Sequence, residues 1–320
     1  MANALVTGGA GFIGSHLSEA LLKRGYRVAV LDDLSTGSRE NIDHLQRDPS
    51  FEFYLGTVMD YEAVDKLVSR SDIVFHMAAA VGVKYIIDNP LASLRINTKG
   101  TENVLEAANR YKRKVALAST SEIYGKNEKE RLSEDDDRIL GSTTISRWGY
   151  ACTKAFDEFL ALAYWREKKL PVVVLRFFNT CGPRQSGEYG MVVPRFVKAA
   201  LMGHPLRVFG DGKQIRCFSF VDDIVEGTIS LSEHAAAVGE IFNLGSMEPV
   251  TIEQLAQKII AMTNSPSDIN YIPYEQAYEK GFEDLHRRVP DIGKAKRFVG
   301  FEPKTSLDEL LRKVIEYFES

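Results

Sequence analysis

Tyr150 and Lys154 lie four residues apart in a stretch that reads as helix, so the two side chains share a face. The chemistry this pair offers is removal of a proton from a hydroxyl. A tyrosine is a base only as its phenolate, and about one free tyrosine in a thousand is ionised at neutral pH. Bringing its pKa to about 7 takes about 4 kcal/mol of preferential stabilisation. An ammonium ~4 Å away, at an effective dielectric of about 20, supplies that order of energy. The spacing is common on helices, so the residues around it decide its meaning.

Thr120, Ser121 and Glu122 leave the carboxyl end of an apolar run at 115–119 that reads as a strand. Thr120 can hold a substrate hydroxyl against Tyr150. Glu122 is a candidate general acid or base, or a group that positions water. A solvated loop carboxylate is the plainer alternative.

Residues 7–14 join a first strand at 4–7 to a helix at 15–24, with Gly8, Gly11 and Gly14 spaced G-x-x-G-x-x-G. The first glycine permits the tight turn, the second close approach to a pyrophosphate, the third close packing of helix on strand. The helix N-terminus beyond Phe12 and Ile13 offers N–H groups to phosphate. Asp32 ends the second strand, where a carboxylate binds ribose hydroxyls and repels a 2′-phosphate. NAD is therefore favoured over NADP, although Arg39 nearby could face a phosphate.

Strands are predicted at 4–7, 27–31, 51–55, 73–77, 115–119 and 172–177, with helices at 15–24, 98–111 and 150–167. This alternation predicts an α/β fold, a Rossmann-like doubly wound parallel sheet. After residue 180 the pattern turns irregular, with helices expected at 193–202, 252–262 and 306–318. That part reads as a smaller α/β substrate-binding lobe. The expected division is an NAD-binding domain at 1–178, with segments near 213–243 returning to it, and the lobe at 179–320.

Composition narrows the remaining possibilities. The 320 residues carry a net charge of −4, which gives no electrostatic reason to expect nucleic acid or an anionic membrane. No apolar run approaches the ~20 residues of a membrane helix. The N-terminus lacks a basic leader. Cys152, Cys181 and Cys217 have neither metal-ligand nor disulfide spacing. A cytoplasmic protein with reduced thiols and no metal is expected.

Taken together, these segments resemble the extended short-chain dehydrogenase/reductase family, in particular its nucleotide-sugar epimerases, dehydratases and decarboxylases. The likeness also runs through His76-Met77-Ala78-Ala79, Asn97 to Thr101, Arg176 to Asn179, Gly182-Pro183-Arg184, Gly210 to Gly212 and Val221-Asp222-Asp223. The resemblance implies NAD as cofactor, with Asn97 near it. It implies Thr120, Tyr150 and Lys154 as the catalytic set. Asn179 and Arg216 would hold a sugar diphosphate, and Val193 and Arg195 would border the nucleotide. Thr57 departs from the acid that many relatives carry near the adenine. Relatives pair their counterparts of the helices at 98–111 and 150–167 across a dimer interface, which implies a homodimer.

The shared first step in such enzymes is oxidation at sugar C4 to a ketone. The triplet Thr120-Ser121-Glu122 is similar to that of UDP-glucuronate decarboxylases. So is the stretch 278–284 leading into Arg287-Arg288, together with Arg147-Trp148. Arg288 matches an arginine near the substrate carboxylate, and Lys84 and Tyr85 lie in a loop that could reach the sugar. The resemblance thus implies a UDP-glucuronate decarboxylase giving UDP-xylose or a UDP-4-keto-pentose. The alternatives are a UDP-sugar 4-epimerase, a 4,6-dehydratase, and a silent NAD-binding sensor.

Overall fold

Strand β6 (Val172–Phe177) is buried at every position, as a strand must be when helices cover both sheet faces. The computed structural model describes residues 1–187, 191–277 and 285–320, except the side chains of residues 83 and 84. Before β6 come β1 (Asn3–Thr7), β2 (Arg27–Asp32), β3 (Phe51–Leu55), β4 (Ile73–His76) and β5 (Lys114–Thr120). With the strand Ile241–Leu244 they form a seven-stranded sheet in the order Ile241–Leu244, β6, β5, β4, β1, β2, β3. Every neighbouring pair is parallel. This is the doubly wound sheet expected from the alternation.

The side-chain period of two explains how apolar runs serve two cores. Ala4, Val6, Val28, Val30 and Phe75 pack on one face, with Leu17 and Leu21 of α1 (Phe12–Lys23). Leu5, Leu31, Val74 and Val172 pack on the other, with Val64 of α2 (Tyr61–Ser69) and Val104. Fully burying such a side chain contributes about 1.5–3 kcal/mol.

After α3 (Val83–Asp88), helix α4 (Pro90–Tyr111) begins eight residues before the expected start, because Pro90 serves at its first turn. Helix α5 (Arg147–Lys168) packs against α4. Helix α6 (Val192–Leu201) and helix α7 (Val221–Glu233) follow, and α7 packs on α1.

Two small arrangements past β6 bear on the site. Strand Ile215–Cys217 pairs with Arg287–Arg288 and with Pro249–Thr251, and Leu206–Phe209 pairs with Ile269–Ile272. In the large sheet, β2 and β3 are added on one side of β1 and β4 on the other. A crevice at the strand carboxyl ends follows from that reversal.

Candidate active site

A cleft of about 490 Å3 occupies that crevice. At one end lies the loop between β1 and α1. Gly8 has φ +71°, a left-handed conformation that glycine adopts without a steric penalty. A Cβ on Gly14 would stand 2.1 Å from the Gly8 carbonyl oxygen, so only glycine lets α1 start this close to the turn. The cradle fits a dinucleotide pyrophosphate. Asp32 is fixed beside it, its carboxylate accepting from the Ala10 and Leu34 amides at 2.9 and 2.8 Å. Burial nevertheless raises its pKa above the usual value.

Asn97 does not line the cleft. Its side chain takes the Ala80 N–H at 2.7 Å and donates to the Ala80 carbonyl at 3.2 Å, so it braces the cleft wall from behind. Thr57 does line the cleft, near the loop that follows β3.

At the other end, Thr120 closes β5 and its hydroxyl oxygen accepts the Glu122 N–H at 3.2 Å, capping a short turn over Ser121–Tyr124. The same hydroxyl hydrogen-bonds the Tyr150 phenol. Lys154 lies one turn along α5, and its ammonium donates to Asp157 Oδ2 at 3.0 Å. The sequence expectation of a phenol depressed by this lysine is not met by the protein alone. Burial, then Glu122 and Asp157, push Tyr150 well above its ordinary value, against the opposing pull of Thr120 and Arg288. The physical reason is burial of the phenol first, then the negative charge of Glu122, and then that of Asp157, which also pairs with the lysine.

Glu122 is no solvated loop residue. Arg147 Nη2 donates to it at 3.2 Å, and Arg288 Nη1 donates to its other oxygen. Burial would raise its pKa, but Arg288 and Arg147, with Arg216 behind them, hold the carboxyl well below the usual range. The carboxylate so fixed organises arginines.

Arg147 opens α5, while Arg288 and Arg216 come from the paired short strands, whose register sets them side by side. Arg288 also donates to Asn179 Oδ1 at 2.9 Å, and Asn179 donates to the Cys217 carbonyl at 2.9 Å. Arg195 sits over the Phe209 ring, 4.3 Å from its centroid, and Val193 is buried beside it. The cleft therefore gathers the glycine loop with Phe12 and Ile13, Asp32, the Thr120–Glu122 turn, Tyr150, Lys154 and the expected substrate residues Asn179, Val193, Arg195, Arg216 and Arg288. Lys84 belongs to α3, but its side chain lies outside the described residues, as does the segment 278–284. Tyr85 does line the cleft.

Sequence reasoning gave no site role to Asp157, Gln185 or Gln214, although the stretch Gln214 to Phe218 shares in the family likeness. The two glutamines line the cleft, and each has a buried side-chain carbonyl oxygen with no hydrogen-bond partner. An N–H-bearing ligand, such as a nucleobase, fits acceptors of that kind. The signal for Asp157 was local, three residues past Lys154 on the same helix face.

Residues 5–314 match the family described as GDP-mannose 4,6 dehydratase. The chain belongs to that family. Among proteins similar to it is the UDP-N-acetyl-alpha-D-glucosaminuronate decarboxylase of Bacillus cytotoxicus, 42% identical, covering 98% of this chain and 97% of the relative. The UDP-glucuronic acid decarboxylase 1 of Danio rerio is 36% identical over 98% of this chain and 72% of its own length. A solved UDP-glucuronic acid 4-epimerase from Bacillus cereus, in complex with UDP-glucuronic acid and NAD, superposes with a TM-score of 0.90 at 30% identity, covering 99% of each chain. As a member of the GDP-mannose 4,6 dehydratase family, the chain bears out the extended short-chain dehydrogenase/reductase likeness read from its motifs.

Proposed function

We propose that this chain is an NAD-dependent enzyme that decarboxylates a UDP-linked hexuronate through a 4-keto intermediate. The observation that carries the reading is the placement of Arg288, Arg216 and Arg147 around Glu122, beside the Thr120–Tyr150 pair, in one cleft with a dinucleotide loop. One cationic group can hold the diphosphate and another the uronate carboxylate. Two decarboxylases among the relatives, at 42% and 36% identity, support it.

The Gly8–Gly14 loop and Asp32 would hold NAD, which would supply a hydride acceptor when bound. Thr120 orients the sugar O4 hydroxyl, and Tyr150 takes its proton as hydride leaves C4. The new ketone is β to the C6 carboxylate, so the C5–C6 bond electrons delocalise onto the ketone oxygen as carbon dioxide leaves. Ionised Glu122 keeps the arginines in place during these steps.

The second reading, 4-epimerisation of a UDP-sugar, is favoured by the likeness to the Bacillus cereus epimerase. The test is to incubate the protein with NAD and, separately, UDP-glucuronate, UDP-N-acetylglucosaminuronate and UDP-glucose. The proposal expects carbon dioxide from a uronate. An axial C4 product with no carbon dioxide would replace it by epimerisation.

The working unit in this reading is a homodimer in the cytoplasm. Phe156 and Phe159 of α5 are 51% and 58% exposed, and Leu91 of α4 is 61% exposed, an apolar surface suited to a second copy. The three cysteines are free thiols. Among the described residues, no helix is long and apolar enough to cross a membrane, and no acidic, histidine or cysteine group could hold a metal ion.

A further inference from the structure

Lys154 and Asp157 form an ion pair with side chains 2% and 0% exposed, three residues apart on α5. The carboxylate side of this pair continues into a line of buried hydroxyl and imidazole groups. Thr101, from α4, faces Asp157, which takes the Lys154 ammonium on Oδ2 and keeps Oδ1 buried without a hydrogen-bond partner. The Thr101 oxygen lies 3.1 Å from His76 Nε2, and His76 Nδ1 lies 2.7 Å from the Thr7 hydroxyl. Thr7 in turn accepts the Ala78 N–H at 3.3 Å.

The protons along this line have one consistent arrangement. A carboxylate only accepts, so the single Thr101 proton points at Asp157. His76 must then donate to Thr101 from Nε2. Burial and the nearby Lys154 lower the His76 pKa to about 3, so the ring is neutral and accepts at Nδ1. Thr7 supplies that proton, and its oxygen takes the Ala78 amide. The donors from Ala78 through Thr7 and His76 to the Thr101 oxygen are thereby satisfied, and they run toward the carboxylate.

We propose that Asp157 is a positioning residue of the reaction, the fixed counter-ion that holds the Lys154 ammonium in place and is itself held, through Thr101 and His76, by the carboxyl ends of β1 and β4. This rests on the reading of Tyr150 and Lys154 given above. The arrangement ties the geometry of the base to the strands that carry the cofactor loop. It also sets a balance. Asp157 anchors the lysine yet opposes phenolate formation at Tyr150. The other charged groups facing this region are Glu158 on α5, His76 on β4, and Glu122 and Arg288 beyond Tyr150.

The test uses Asp157→Asn, which keeps the shape and removes the charge, and Thr101→Val, which keeps the shape and removes the donor facing Asp157 together with the acceptor of His76. In Asp157→Asn the buried lysine has no counter-ion, so it sheds its proton more readily than in the unfolded chain. The unfolded chain then binds more protons, and stability rises with pH. The melting-temperature deficit of Asp157→Asn relative to the parent is therefore expected to shrink from about pH 7 to about pH 10. For Thr101→Val the deficit is greatest at neutral pH and narrows in acid, where Asp157 takes up a proton in both proteins, leaving the constant cost of the His76 N–H that has lost its acceptor. With substrate, the acid limb of kcat in Asp157→Asn moves about one pH unit lower, because a negative neighbour of Tyr150 is gone.

Deficits that stay constant with pH in both variants, or a uniform loss of kcat at every pH, overturn the proposal. If Asp157→Asn fails to fold, Thr101→Val alone decides by its melting curve. The melting measurements need no substrate, so an error in the reaction assignment shows in turnover and leaves them readable.

Discussion

At the scale of single residues, two carboxylates shape this site more than the tyrosine does. Glu122 is ionised because three guanidinium groups outweigh its burial, and its charge then raises the Tyr150 phenol. Its depressed pKa fixes the sign of a pH effect. The unfolded glutamate takes a proton before the folded one, so its stabilisation is present above about pH 4.3 and is lost only as pH falls through the folded value. Glu122→Gln leaves Arg147 and Arg288 without their anion. Urea unfolding at neutral pH should show a loss of about 3 kcal/mol, the lower end for a broken buried pair because Glu122 is partly exposed. The difference should persist at about pH 4 and fade only in stronger acid. A variant as stable as the parent at neutral pH would mean the cluster is not held by Glu122. Tyr150, Lys154, Thr120 and Asp32 were legible in the sequence because each belongs to a local spacing. Arg147 and Arg288 were singled out by the family likeness, but their pairing with Glu122 was not legible, since one lies 25 residues away and the other 166.

At the scale of elements, α4 and α5 do two jobs. Their inner faces bury Thr101, Lys154 and Asp157 against the sheet, and α5 presents Tyr150 to the cleft. Their exposed apolar residues include Phe156 and Phe159, on the same helix as the base. A double change of Phe156→Asp and Phe159→Asp is expected to halve the mass found by sedimentation equilibrium, while a parent sedimenting as one chain of 35.8 kDa would contradict the homodimer. Six of the seven strands of the large sheet were readable from their mostly apolar runs, whereas Ile241–Leu244 was not read as a strand. Helix α2 was not read, although Asp60 caps it and Val64, Leu67 and Val68 mark its buried side. It is short, and one turn of period is a weak signal. The pairing of Arg287–Arg288 with Ile215–Cys217 had no sequence signal at all, because two-residue strands carry no period and their register is set by the tertiary fold.

At the scale of the whole molecule, the reversal of strand order beside β1 creates the crevice, and the chain past β6 closes over it with arginines. The cofactor loop, the base on α5 and the cations from the later strands meet only in the folded chain. In the proposed reaction Tyr150 removes a hydroxyl proton, cations hold the uronate, and carbon dioxide leaves from the carboxylate β to the new ketone. The most direct measurement is carbon dioxide release from a C6-labelled UDP-hexuronate by the parent and by Tyr150→Phe, with NAD binding followed alongside. The account predicts release by the parent, a fall of about 1,000-fold in the variant, and NAD affinity little changed. Release at the parental rate from Tyr150→Phe would contradict it.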